Sequence, residues 1–211
     1  MTLKNIPKPK NYSKLVLHAI SYIIPSNLGY GYHYKKYTER IFFPIIRDKI
    51  RNLEITESEE IIIYLPTYSP LKLIELIKKI PQKKNWTIFS PDAKLRQNIS
   101  GVNIEPLSEG LFLKKFASCY GIVCAGGFAT TSEAIFLGKP MIVVPVEAQI
   151  EQQFNAAALK KEGVTVIDRF SNENLDTISN WIDSPSILKI EYKDESKEIV
   201  DILINDYSNL K

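Results

Sequence analysis

From residue 60 onward the chain alternates between short apolar runs and amphipathic stretches. Residues 60–65 (Glu-Ile-Ile-Ile-Tyr-Leu) form a continuous apolar run closed by Pro66, the pattern of a strand buried on both faces. Leu71, Ile74, Leu76, Ile77 and Ile80 then recur at helical spacing until Pro81 stops them. The same reading predicts further strands at 86–89, 102–104, 121–124, 141–144 and 164–167. It predicts helices at 111–119, from about 130 to 138, and at 151–161, 172–182 and 196–207. Strands alternating with helices in this way predict an α/β fold with a doubly wound parallel sheet.

The first 38 residues differ. They carry Lys4, Lys8, Lys10, Lys14, Lys35 and Lys36 with no acidic residue, many tyrosines, three prolines and no clean period. This reads as an irregular, partner-facing arm, with a contact to an anionic membrane surface as the rarer alternative. The apolar run at 15–24 is too short to span a bilayer, which needs about 20 residues, and no small-residue cleavage site follows it. The expected location is therefore cytoplasmic, with peripheral membrane contact through the basic arm. The division expected is an arm and linker at 1–57, a sheet domain at 58–185 and a closing helix at 186–211.

Composition narrows the chemistry. The 211 residues include 27 Lys and Arg against 24 Asp and Glu, a net charge of +3, and 45% are apolar. That is globular composition, with no footprint for nucleic acid as the main partner. The only histidines are His18 and His33, so a His-rich metal centre is ruled out. Cys119 and Cys124 lie in apolar sequence without zinc-site spacing and read as reduced, buried thiols.

Open α/β sheets bind ligands beyond the carboxyl ends of their strands. Two such loops carry unusual chemistry. Residues 125–133 (Ala-Gly-Gly-Phe-Ala-Thr-Thr-Ser-Glu) join a strand to a helix. Gly126 and Gly127 permit a tight turn and close approach, and the amides of a helix start favour an anion such as a diphosphate. The loop is neither a Walker A motif nor a three-glycine dinucleotide fingerprint. Thr130 and Glu133 also fit a capping box, which is the plainer reading of their spacing. The second loop, residues 145–156, places Glu151, Gln152 and Asn155 on one helix face, a carboxylate beside carboxamides suited to sugar hydroxyls. An acidic first helical turn with solvated glutamines explains the same residues equally simply.

Taken together, residues 126–133, the string Ala-Ile-Phe-Leu-Gly-Lys-Pro at 134–140, Pro145, Glu151, Gln152, Asn155, Ala156 and the Gly-Val-Thr-Val at 163–166 resemble the donor-binding half of GT-B glycosyltransferases. That family includes the peptidoglycan lipid-intermediate GlcNAc transferase and the UDP-glucosyl and glucuronosyl transferases. The resemblance implies a single Rossmann-like domain over about 58–185. It further implies that Gly126, Gly127, Phe128, Ala129, Thr130 and Thr131 hold the diphosphate of a nucleotide sugar, with UDP the expected nucleotide. Glu133 would meet the ribose, Glu151 and Gln152 the transferred sugar with Asn155 beside them, and Pro106 and Leu107 the base. Thr67, Tyr68 and Ser69 would face the diphosphate from the other side. No cofactor or metal is implied, and no catalytic residue can be placed.

The segment 30–47 is similar to the passage between the two domains in a bacterial branch of these enzymes. The chain has length for only one domain, so an acceptor-binding domain would come from a partner subunit, a homo-oligomer or a longer polypeptide. A sugar-nucleotide-binding or assembly module without catalysis is the alternative, docking through the basic arm and an apolar side of the last helix (Ile199, Ile202 and Leu203).

Overall fold

The computed structural model describes residues 6–9, 12, 29–81 and 84–209. Most of the basic arm, with Lys4, Lys10, Lys14 and His18, lies outside the described residues, so the membrane-contact expectation does too. Among the described residues no helix is long and apolar enough to cross a membrane.

The core is a seven-stranded sheet. In chain order it comprises β3 (Glu60–Tyr64), β4 (Asn85–Ser90), β5 (Gln97–Ile99), β6 (Val102–Pro106), β7 (Gly121–Cys124), β8 (Met141–Val143) and β9 (Thr165–Val166). Two shorter strands, β1 (Gly31–Tyr32) and β2 (Ile41–Phe42), pair with each other in parallel ahead of it. The spatial order is β5-β6-β4-β3-β7-β8-β9, parallel throughout except for the β5–β6 pair. From β3 the chain winds outward through β4 to β6, then returns to β7 on the other side of β3 and continues to β8 and β9. The order therefore reverses between β3 and β7, where an open sheet opens its crevice.

Apolar runs become buried strands here because each face has its own helical cover. Ile62, Phe89, Ile122, Cys124 and Val143 pack beneath α3 (Glu109–Ser118), α4 (Phe128–Leu137) and α5 (Ile150–Lys161). Ile61, Ile63, Ile88, Val123 and Ile142 pack against α2 (Pro70–Ile77) and α6 (Leu175–Asp183). Successive residues of β3 thus point into opposite apolar layers, so the whole strand is apolar rather than alternating. Gly121 is required where Trp181 crosses β7, since a Cβ there would lie 2.6 Å from the indole.

Three features depart from the sequence reading. Strand β5 joins β6 through Ser100 and Gly101, both at positive φ (54° and 86°), a two-residue hairpin that makes the sheet mixed rather than wholly parallel. The segment 30–53 is not irregular throughout. It forms β1, β2 and α1 (Asp48–Arg51) and buries Tyr34, Ile46 and Ile50 in the α3–α5 layer. Elements of two to four residues carry no readable period, so only their tertiary contacts reveal them. Finally, α7 (Ser196–Ser208) buries Ile199 alone and leaves Val200, Leu203, Ile204 and Tyr207 as an exposed stripe at i, i+3, i+4, i+7 spacing.

Both cysteines are free and buried, and desolvation pushes each thiol up to about 12. Neither should react with a disulfide reagent at pH 8 in the native protein, and both should titrate after unfolding. Rapid labelling of the folded chain would contradict this packing.

Candidate functional site

The loops after β3 and β7 lie side by side, since Tyr64 and Cys124 are register partners at the ends of those strands. The chain leaves β7 through Ala125 and Gly126 and enters α4 at Phe128, with Gly127 as N-cap (φ −65°, ψ 133°) and no side chain capping the helix. This corrects the predicted start near Thr130 and the capping box. Thr130 lies inside the first turn, and Glu133 is drawn to a different partner. The first intrahelical bond runs from the Thr131 amide to the Gly127 carbonyl at 3.2 Å, so the amides of Phe128, Ala129 and Thr130 precede it. Space beside the Gly127 Cα is open, with nothing within 4 Å of a Cβ built there.

The first glycine has the opposite surroundings. A Cβ on Gly126 would sit 2.8 Å from the Gln152 carbonyl, because the glycine turn is pressed against the start of α5. Asn155, buried on that helix, donates Nδ2 to the Gly126 carbonyl at 3.0 Å. The two chemistry-bearing loops are thus one assembly, and Asn155 is spent joining them. The Gln152 Oε1 accepts from the Val146 amide at 3.0 Å and its Nε2 bonds Gln149, folding the loop 146–152 onto itself. Glu151 is exposed on the first turn of α5.

Thr131 is turned inward. Its hydroxyl lies 2.9 Å from the Gly127 carbonyl, 3.1 Å from that of Phe128 and 2.7 Å from the Tyr34 hydroxyl. Thr131 has one proton, which goes to a carbonyl, so Tyr34 donates to Thr131. Burial pushes the Tyr34 phenol well above its usual range and keeps that donor protonated. Tyr34, from the segment before the sheet domain, therefore braces the first turn of α4.

Glu133 is 4% exposed and faces Arg47. Arg47 Nε donates to one carboxylate oxygen at 2.7 Å and Nη2 to the other at 3.1 Å, while Nη1 reaches Glu109 at 3.1 Å. The Glu133 hydrogen bonds raise the Arg47 pKa further. Lys49 holds the other Glu109 oxygen at 2.8 Å, and that bond lowers the Glu109 pKa. Glu109 opens α3 directly after Pro106, Leu107 and Ser108, so Arg47 ties Glu133 to the loop that carries Pro106 and the exposed Leu107.

Thr67 and Ser69 are exposed, and the Ser69 N-cap of α2 makes no side-chain cap bond. Tyr68 reaches across the sheet end and accepts the Phe170 amide at 3.2 Å. Beside them opens a cleft of about 530 Å³ bordered by Thr67, Ser69, Lys72, Pro145, Glu147 and Arg169. A second hollow of about 490 Å³, with Tyr12, Ile150 and Asp168 on its walls, shares Pro145, Glu147 and Arg169. Asp168 accepts from Asn174 Nδ2 at 2.8 Å, which lowers its pKa. Sequence reasoning missed Tyr34, Arg47, Lys72, Glu109, Glu147, Asp168 and Arg169. The charged pair at 168–169, directly after the last predicted strand, was the one local signal. Among the described residues no group of three or more His, Cys, Asp or Glu could hold a metal ion. His33 is buried against Tyr34 and Tyr37, accepts the Lys35 amide on Nδ1, and has its pKa lowered by burial.

A family model described as glycosyl transferase family 1 matches residues 13–184, most of the chain. The chain belongs to glycosyl transferase family 1. Among solved structures it is similar to the glycosyltransferase SnogD from Streptomyces nogalater, at 13% identity and a TM-score of 0.44 over 78% of this chain and 51% of that one. It is also similar to the glycotransferase of kitacinnamycin (16% identity, TM-score 0.47, 68% of this chain and 40% of that one). A third is the glycosyltransferase VinC in complex with DTDP (17%, TM-score 0.42, 77% and 45%). The family 1 chain spans about half the length of these structures or less. A comparison with curated proteins finds no significant match.

Proposed function

We infer that this family 1 chain is the donor-binding half of a glycosyltransferase that uses a nucleotide sugar, with UDP as the carrier. The uncapped start of α4 carries the reading. The amides of Phe128, Ala129 and Thr130 precede the first intrahelical bond, and the Cβ position of Gly127 beside them is open, at the point where strand order reverses. Amides and helix dipole together favour a diphosphate and stabilise it as a leaving group when an acceptor hydroxyl attacks the anomeric carbon. Such stabilisation requires no cation, so the reading is metal-independent. Glu133 and the 106–107 loop lie on the nucleoside side. Thr67 and Ser69 border the far side, and Glu151 with the cleft around Glu147 and Arg169 lies on the sugar side. The acceptor domain and the catalytic base belong to a partner, a second copy or a longer polypeptide.

The α7 stripe of Val200, Leu203, Ile204 and Tyr207 favours a second reading, a binding or assembly module that turns nothing over. Calorimetric titration with UDP, GDP, dTDP and UDP-GlcNAc tests the first. A ligand at about 100 times its dissociation constant should also raise unfolding stability by about 2.7 kcal/mol. A folded chain that binds none of the four refutes donor binding. Binding without transfer, even with acceptor domains supplied, would leave the module reading.

A further inference from the structure

The carboxylate that the donor-binding reading sets at the nucleoside already has both oxygens engaged within the protein. A carboxylate clamps a vicinal diol by offering both oxygens to two adjacent hydroxyls, the same two-pronged geometry with which it receives an arginine. In this chain Arg47 Nε and Nη2 occupy both Glu133 oxygens, at 2.7 and 3.1 Å. The Glu133 side chain is only 6% exposed, which leaves little room for a second two-pronged partner. The third guanidinium nitrogen is bonded to Glu109, which Lys49 secures in turn, so swinging Arg47 away breaks contacts to two acids. Each oxygen keeps one lone pair outside the Arg47 clamp, but these two point away from each other, so adjacent hydroxyls of one pentose cannot reach both.

Building on the donor-binding reading, we propose that Arg47 is a specificity-determining residue: it covers the diol-binding side of Glu133, so the site takes 2′-deoxyribonucleoside and ribonucleoside diphosphates alike. A site built to bond both hydroxyls rejects an analogue that lacks one, because its own polar group is left unpaired. Here the group that would be left unpaired already has a partner within the protein.

The test is titration of the full chain with UDP and 2′-deoxy-UDP, which share base and diphosphate and differ only at the 2′ position. Wild-type affinities should agree within about threefold, less than one net hydrogen bond is worth. Arg47→Gln, checked for folding by thermal unfolding, should uncover Glu133 and favour UDP by about tenfold or more. Arg47→Lys should fall between, because an ammonium cannot cover both oxygens. A tenfold preference for UDP in the wild type overturns the proposal, as does a ratio that Arg47→Gln leaves unmoved. Should Arg47→Gln not fold, the wild-type ratio decides alone. If neither nucleotide binds, the donor-binding reading itself fails, and that outcome is distinguishable from a wrong ratio.

Discussion

Gly126→Ala is expected to destabilise the protein by about 1–3 kcal/mol, the usual cost of forcing an extra carbon into packed structure, and to weaken nucleotide binding by tenfold or more. The new Cβ would lie 2.8 Å from the Gln152 carbonyl, 3.2 Å from its Cβ and 3.3 Å from its Cα. Two of those three atoms are backbone at the start of α5, so no side-chain rotation relieves the contact. The glycine turn and α5 must separate, and the Asn155 Nδ2 bond to the Gly126 carbonyl lengthens with them. A buried carbonyl left unpaired costs about 1–3 kcal/mol on its own, although strain and lost bond describe one movement and do not add. Urea unfolding followed by UDP titration measures both effects. Wild-type stability in Gly126→Ala would mean that the two loops are not held against each other.

This coupling explains what was legible in the sequence. Strands β3, β4, β6, β7 and β8 were readable because burial on both faces makes a strand continuously apolar, a local signal. The glycine pair and the polar residues of α5 were readable as chemistry for a similar reason. Their partners were not. Tyr34 meets Thr131 across 97 positions and Arg47 meets Glu133 across 86, both from a segment without periodicity. Spacing therefore favoured a Thr130–Glu133 capping box, which a remote guanidinium displaced. Spacing puts Asn155 on one face with Glu151 and Gln152, yet its amide serves the Gly126 backbone. Spacing gives the face on which a side chain lies, whereas its partner depends on the whole fold.

The same geometry predicts opposite responses of stability and binding at the neighbouring glycine. Gly127→Ser should raise unfolding stability by a few tenths of a kcal/mol, because serine is a better N-cap than glycine and its hydroxyl accepts an amide of the first turn. The backbone at Gly127 is already extended, as an N-cap requires, and a Cβ there meets nothing within 4 Å, so no strain opposes the change. The hydroxyl would accept the Ala129 or Thr130 amide and occupy the open space in front of the helix. A diphosphate would then lose an amide bond to a charged group, worth about 1.5–3 kcal/mol, and UDP affinity should fall by about tenfold or more. A purely structural turn predicts only the stability gain, with UDP affinity unchanged. Nucleotide binding within the cleft itself, by Lys72 and Arg169 alone, predicts the same insensitivity. A more stable Gly127→Ser variant that binds UDP as tightly as wild type therefore removes the α4 amides from the donor site. A more stable variant that has lost UDP assigns them to it, because destabilisation cannot explain the loss.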